Sequence, residues 1–211
     1  MRRWYPVAAV VLALAASLAV FGRLPERVPT HWNASGEIDG WGRRATGAFT
    51  IPVVMAFVAL LIPVIPRVDP RGESYEKFRP SYLLVMNVVL TFMLGLHVVL
   101  LSAMLGARPP VGRLVPFGVG AMFAVMGNVL PRTRPNWTFG IRTPWTLSSD
   151  RVWHRTHRVG GYLMVGGGIA TMGAALVLRP EATVAVLIAS ITAASLGSVA
   201  YSYLAWREER R

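Results

Sequence analysis

Two loops of the chain concentrate the residues whose types could do chemistry. In residues 131–158, Ser148, Ser149 and Asp150 precede His154 and His157, which are the residue types of a hydrolytic site. Consecutive residues rarely aim at one reacting atom, so we predict no catalytic residue and no enzyme. The two histidines could nominally bind a metal, but the arginines around them would repel it. We therefore predict neither a metal nor a cofactor in this loop.

The 131–158 loop also predicts a helix with a cationic stripe. Ser148 or Ser149 can cap a helix that carries Asp150 in its positively polarised first turn. Four basic side chains then recur at helical spacing on one face, at Arg151, His154, Arg155 and Arg158.

Two interpretations of this stripe remain open. Positive charge at a membrane boundary attracts lipid phosphates without any specific site. Alternatively, Gly140 allows a turn that brings Arg142 towards Arg158, and the two guanidinium groups bind an anionic headgroup, a phosphate or an acidic partner.

The loop of residues 24–42 holds the second set of polar side chains. Its prolines and glycines favour an ordered loop with tight turns. His31, Asn33, Glu37 and Asp39 could converge on a cation, but they fit no standard metal spacing. We favour hydrogen-bonding roles for them and predict no metal site. Trp32 and Trp41 are expected at the membrane interface.

The elements that must position both loops are apolar. Of the 211 residues, 54% are hydrophobic and 15% charged, and the mean hydropathy is +0.46, which excludes an ordinary soluble domain. The absence of cysteine excludes disulfides and thiolate catalysis. We predict an all-α fold, a polytopic membrane protein with a bundle of six transmembrane helices, over residues 6–22, 45–66, 80–107, 114–130, 159–178 and 183–206.

The distribution of basic residues predicts the orientation. If the N-terminus lies inside, 15 of the 22 Lys and Arg residues fall on the inner side and seven on the outer side. Both termini and the 131–158 loop are then cytoplasmic, and the 24–42 loop faces outwards. The net charge of +12 is interpreted as attraction to the anionic inner leaflet, with no direct nucleic-acid partner.

Polar and small residues within the spans predict helix packing. We expect His97 to be hydrogen-bonded across the bundle. Small residues at helical spacing predict close packing of the last two spans, through Gly166, Ala170 and Ala174 on one and Ala189, Ala193 and Gly197 on the other.

Two stretches of the chain resemble the SdpI family of bacterial membrane proteins. Residues 24–33 (LPERVPTHWN) and 39–41 (DGW) are similar to the domain of unknown function DUF1648, often found at the N-terminus of such proteins. The family's signature is similar to residues 136–147 (NWTFGIRTPWTL), with Val152-Trp153 and Thr156-His157-Arg158. The resemblance implies two regions: a DUF1648-like segment at 1–66, and an SdpI-like region at 67–211.

The resemblance implies an immunity protein of the bacterial cytoplasmic membrane. Such a protein gives resistance to a secreted toxic peptide, and in the founding system it also signals to a cytoplasmic repressor. The expected binding residues in the 131–158 loop are Asn136, Trp137, Gly140, Arg142, Thr143, Trp145, Trp153, His154, His157 and Arg158. Those in the 24–42 loop are His31, Trp32, Asn33, Asp39 and Trp41. The alternative is a transporter or lipid-handling protein that binds an anionic headgroup at the arginine-rich loop.

Overall fold

The computed structural model describes residues 4–211, and the chain is mostly helical over that range. The elements follow in the order α1 (Tyr5–Phe21), β1 (Arg27–Trp32), β2 (Ile38–Arg43), α2 (Arg44–Val68), α3 (Ser74–Met104), α4 (Val111–Val129), α5 (Pro144–Ser148), α6 (Asp150–Val177) and α7 (Pro180–Glu209). A 3-10 turn, Leu130–Arg132, directly follows α4.

Five of these helices are long and apolar enough to cross a bilayer, namely α2, α3, α4 with its 3-10 turn, α6 and α7. The apolar helix α1 has only 17 residues, at the short end of what a bilayer requires. The chain is therefore a membrane protein with five candidate spans within residues 4–211. A sixth span at residues 6–22 stays a prediction. Arg2 and Arg3, counted for the orientation, lie outside the described residues.

Several helices extend beyond the apolar runs of the sequence. Helix α3 begins at Ser74 and not at Pro80, since Phe78 leaves helical geometry (φ −130°, ψ 21°) and so accommodates the proline that follows. Helix α6 begins at Asp150, as predicted, because the Ser149 side chain accepts a hydrogen bond from the backbone N–H of Val152 at 3.2 Å.

The prediction of a wholly α-helical fold is wrong in the 24–42 loop, where β1 and β2 form an antiparallel hairpin. Val28 and Trp32 favour extended backbone, and Gly36 (φ 82°) closes the turn by donating to the Asn33 carbonyl at 2.9 Å. Val28 is fully buried in a cluster with Leu24, Ala48, Leu101 and Met104. This packing against α2 and α3, which is invisible in the local sequence, stabilises the hairpin.

The hairpin and the 131–158 loop lie at opposite ends of the bundle. Helix α2 starts directly after β2, and its 25 residues extend about 37 Å. At its far end, the carboxylate of Asp69 accepts a hydrogen bond from the backbone N–H of Trp137 in the 131–158 loop. The two loops that resemble family motifs therefore lie far apart, one at each end of α2.

The closest helix packing joins α4 to α6. A Cβ on Gly127 would lie 2.7 Å from the Gly161 carbonyl oxygen, and one on Gly168 would lie 2.5 Å from the Gly120 carbonyl oxygen. Glycine at all four positions lets the two backbones touch.

The predicted stripe of small residues between the last two spans is wrong for most of its members. Gly166, Ala170, Ala189 and Ala193 are exposed, and a Cβ on Gly166 would have no atom within 4 Å. Helix α6 is rich in glycine on more than one face, and its sequence does not show which face meets α4.

His97 of α3 is hydrogen-bonded across the bundle, as predicted. Its Nε2 atom lies 2.9 Å from the Ser17 hydroxyl and 3.2 Å from the Ala13 carbonyl oxygen of α1. The Ser17 hydroxyl donates in turn to the Ala48 carbonyl of α2 at 2.6 Å. These bonds connect α1 to the bundle.

Candidate functional site

A buried carboxylate, Asp69, connects α2 and α3 to the 131–158 loop. Its Oδ1 atom accepts from the backbone N–H of Arg71 at 2.8 Å. Its Oδ2 atom accepts from the Trp137 N–H (3.0 Å), the Thr138 hydroxyl (2.7 Å) and the Tyr75 hydroxyl (3.1 Å). Burial alone would raise the pKa of Asp69, but these hydrogen bonds outweigh burial and hold the pKa below its usual range. Asp69 is thus an ionised anchor for the loop.

Asn136 shapes the loop next to this anchor. It is fully buried, and its Oδ1 atom accepts from the backbone N–H groups of Thr138 (3.0 Å) and Phe139 (2.6 Å) and lies 3.2 Å from the Tyr75 hydroxyl oxygen. Its Nδ2 atom donates to the Arg134 carbonyl at 2.8 Å. Asn136 therefore holds a tight turn, and its predicted role in binding stays a prediction.

His157 holds the middle of the loop against α6. Its ring is fully buried and stacks on Trp153 at 4.0 Å between centroids. The Nε2 atom accepts from the Ile141 N–H at 3.0 Å, so the Nδ1 atom carries the hydrogen and donates to the Trp153 carbonyl at 2.8 Å. Gly140 precedes Ile141 with φ 107°, and a Cβ there would lie 2.4 Å from Nε2. The predicted turn at Gly140 is confirmed.

Thr143 and Trp145 connect the loop to α7. The Thr143 side chain caps α5 in a reciprocal capping box with Thr146. Its hydroxyl also donates to the Ser202 hydroxyl at 3.0 Å, and the Trp145 ring packs 5.2 Å from that of Tyr203. The predicted residues Asn136, Thr143, Trp153 and His157 are thus buried parts of the loop framework.

The polar side chains on the outer surface of the same loop do not converge on one point, and each that is bonded has a different partner. Arg142 is exposed, and its Nη1 atom donates to the Trp137 carbonyl at 2.8 Å. Arg155 donates to the Glu208 carboxylate of α7 at 2.6 Å, and His154 accepts from Arg134 at 3.1 Å. Arg158 is exposed on α6. The proposed pairing of Arg142 with Arg158 around an anion stays a prediction.

The polar side chains of the 24–42 loop pair with one another across the hairpin. His31 Nδ1 lies 2.5 Å from Asp39 Oδ1. Asn33 Oδ1 accepts from the Glu37 N–H at 2.9 Å, and Asn33 Nδ2 donates to the Glu37 carboxylate at 3.2 Å. Within residues 4–211, no group of three or more His, Asp or Glu side chains is placed to hold a metal. Trp32 is half-buried, whereas Trp41 is 56% exposed.

Comparison with known proteins gives matches to both loops. Residues 132–202 match the SdpI/YfhL protein family, and residues 8–56 match a domain of unknown function, DUF1648. The chain is also 28% identical over 158 residues to the protein "Immunity protein SdpI" of Bacillus subtilis (strain 168), covering 74% of this chain and 72% of that protein. The resemblance to the SdpI family is confirmed. No solved structure is significantly similar to this chain.

The two matched segments map onto different parts of the fold. The SdpI match contains nearly all of the 131–158 loop, α6 and most of α7. The DUF1648 match contains most of α1, the hairpin and the first half of α2. Asp69 and Tyr75 lie between the two matches and bind the SdpI segment. A division of the chain at residue 66 stays a prediction.

Sequence reasoning did not identify Asp69, Tyr75 and Thr138 as parts of this site. A lone aspartate before Pro70 is typical of a turn, and it gives no sign of a partner 68 residues further along the chain. The hydroxyl groups of Tyr75 and Thr138 are in contact with each other as well as with Asp69. This cluster is defined by three-dimensional proximity alone.

We expect Asp69 to make the protein sensitive to acid. A carboxyl group whose pKa is lower in the folded state than its unfolded value, about 3.9, stabilises the fold above that pH. The contribution is lost as the pH falls through the lowered pKa, because the unfolded chain then binds more protons. The unfolding temperature of the detergent-purified protein, followed by tryptophan fluorescence from about pH 7 to about pH 2, should therefore fall below about pH 4.

The variant Asp69→Asn removes this titration. It should be less stable at neutral pH, because in either orientation the amide NH2 group would face a backbone N–H group, that of Arg71 or that of Trp137, and it should lose part of the fall in acid. Asp150→Asn is the control, since the Asp150 side chain is 77% exposed. Identical acid profiles for the parent protein and Asp69→Asn would contradict this role.

Proposed function

We propose that this chain is a non-enzymatic immunity protein of the bacterial cytoplasmic membrane, which protects its cell from a membrane-active antimicrobial peptide. The observation that carries the proposal is the 28% identity to an immunity protein, over 74% of this chain. The presence of both matched segments in one membrane protein supports it further.

The geometry favours the hairpin as the surface that meets the peptide. Ile38 and Trp41 of β2 are 43% and 56% exposed, so that end of the bundle presents apolar side chains on its surface. The other end is held by hydrogen bonds that Asp69 and His157 accept from backbone N–H groups. Ser149 and His157 themselves bond to backbone groups, which supports a role in shaping the loop and not in hydrolysis.

We further propose that α1 is a sixth span and that both termini are cytoplasmic. The excess of basic residues, 15 against seven, favours this orientation. The hairpin is then outside the cell, where a secreted peptide arrives, and the 131–158 loop is inside.

The absence of cysteine permits a direct test of this topology. Single variants Ser35→Cys in the hairpin turn, Ser148→Cys at the end of α5 and Trp4→Cys would be treated with a membrane-impermeant maleimide. We expect Ser35→Cys to react in intact cells, and the other two only after permeabilisation. Reaction of Trp4→Cys in intact cells would mean that α1 does not span the membrane. Reaction of Ser148→Cys in intact cells would mean that the orientation is opposite to the one proposed.

Protection itself is tested by expression in a peptide-sensitive bacterium. Membrane potential would be recorded during challenge with a membrane-permeabilising killing peptide. We expect the parent chain to preserve the potential, and the double variant Ile38→Ala, Trp41→Ala to lose protection at equal abundance. Trp4→Ala is the control, since Trp4 is 77% exposed and lies away from the hairpin.

The outcomes separate the function from the surface that performs it. A lack of protection by the parent chain would contradict the immunity function. Protection by the parent and by the double hairpin variant alike would leave that function in place and exclude the hairpin as the contact surface.

The resemblance also implies a report to a cytoplasmic repressor, which we assign to the 131–158 loop. Trp137 is 49% exposed there and is available to a partner. In a cell with such a repressor, Trp137→Ala should leave protection intact and reduce the membrane-bound fraction of the repressor. An unchanged fraction would contradict this assignment.

A further inference from the structure

A cavity of about 590 Å³ lies at the same end of the bundle as the 131–158 loop. It opens between the start of α3, the chain after the 3-10 turn and the start of α6. The polar side chains that line it are Arg71, Ser74, Lys77, Arg134, Asp150 and His154. Arg142 and Arg158, the pair predicted to hold an anion, do not line it.

The cavity carries an excess of positive charge. Its lining includes three cationic side chains, Arg71, Lys77 and Arg134, and a single carboxylate, that of Asp150. The Asp150 side chain is 77% exposed, and its Oδ1 atom lies 3.8 Å from Arg71 Nη1. Among residues 4–211, no carboxylate lies within 4.0 Å of Lys77 or Arg134. His154 Nε2 accepts a hydrogen bond from one N–H group of Arg134, and the other N–H groups of the guanidinium are not used in this bond. The positive charges of Lys77 and Arg134 are therefore not neutralised by a carboxylate, while Arg71 is shared with Asp150 and the Leu147 carbonyl.

Two helix ends add to this charge. Helices α3 and α6 begin at Ser74 and Asp150, both of which line the cavity. The helix dipole gives each N-terminus a partial positive charge, although the N–H groups of Ser74, Tyr75 and Val152 already donate to neighbouring residues of the chain. The half-buried Ser74 also offers a hydroxyl donor. The cavity thus combines permanent charges, helix termini and a neutral donor on its walls.

We propose that this cavity binds a phosphate group. Two arginines can bind phosphate oxygens in the bidentate manner, while the lysine contributes a point charge and Ser74 a hydrogen bond. The phosphate comes either from the headgroup of an anionic lipid or from a free phosphate ion. The position at an end of a membrane bundle favours the lipid. The inference goes beyond the proposed function and does not depend on it.

The experiment measures binding to the full-length chain in detergent by native mass spectrometry. The probes are short-chain phosphatidylglycerol, short-chain phosphatidylcholine and inorganic phosphate. The test variant is Lys77→Gln, Arg134→Gln, which leaves the backbone contact between Asn136 and the Arg134 carbonyl in place. The control is Arg108→Gln, Arg113→Gln, which removes an equal charge at the hairpin end.

We expect phosphatidylglycerol to bind the parent chain more tightly than phosphatidylcholine, and the test variant to lose about tenfold in affinity. The control variant should bind as the parent does. Saturable binding of inorganic phosphate that is lost in the test variant would identify a free phosphate ion as a ligand. Equal binding of the two lipids without phosphate binding, or equal losses in both variants, would overturn the proposal. Equal unfolding temperatures of the variants would show that misfolding does not cause the loss.

Discussion

Gly140→Ala should strongly disrupt the 131–158 loop. The backbone at Gly140 has φ 107°, where a side chain costs roughly 1–3 kcal/mol. The new Cβ would also lie 2.4 Å from His157 Nε2, the atom that accepts from the Ile141 N–H. His157 cannot retreat, because its buried ring stacks on Trp153. Overpacking adds roughly 1–3 kcal/mol to the strain.

Gly106→Ala is the matched control for this prediction. Gly106 also has a positive φ, 95°, but a Cβ there would meet no atom within 4 Å. It should therefore show the cost of backbone strain alone. We expect the unfolding temperature of purified protein to fall clearly more for Gly140→Ala than for Gly106→Ala. Limited proteolysis should cut the 131–158 loop only in the former, and equal falls would mean that contact with His157 is unimportant.

Gly168→Ala should separate α4 from α6. Its Cβ would lie 2.5 Å from the Gly120 carbonyl oxygen and 2.8 Å from the Ala124 nitrogen, both of them backbone atoms. A backbone atom cannot rotate away, so the helices must move apart along a contact that also includes Gly127 and Gly161. We expect a loss of roughly 1–3 kcal/mol in stability, and a larger loss for Gly168→Val.

Gly166→Ala and Gly173→Ala provide controls on the same helix, since a Cβ at either position would have no atom within 4 Å. Alanine stabilises a helix by roughly 0.5–1 kcal/mol relative to glycine, so these variants should match or exceed the parent in stability. The measurement is the unfolding temperature in one detergent for all variants. A rise for Gly168→Ala like that for Gly166→Ala would show that α4 and α6 are not in close contact.

Several structural features of this protein depend on neighbouring residues alone, and the sequence therefore predicts them. The apolar runs predict membrane helices because a bilayer requires about 20 apolar residues per span. The start of α6 was predictable because Ser149 caps it through a hydrogen bond to Val152, only three residues away. Gly140 was predictable as a turn in the same way, since a positive φ depends on the residue itself. The family motifs identified the 131–158 loop, but not which of its side chains are buried.

Three features depend on tertiary contacts and are visible only in the folded structure: the hairpin, the α4–α6 contact and the hydrogen bonds at Asp69. The hairpin depends on the burial of Val28 against α2 and α3, and α6 has glycines on several faces, of which only Gly161 and Gly168 meet α4. Asp69 has the composition of an ordinary turn, and its partner Trp137 lies 68 residues away. The physical reason is the same in each case: the stabilising contact forms between segments that only folding brings together, so neither segment alone contains its partner.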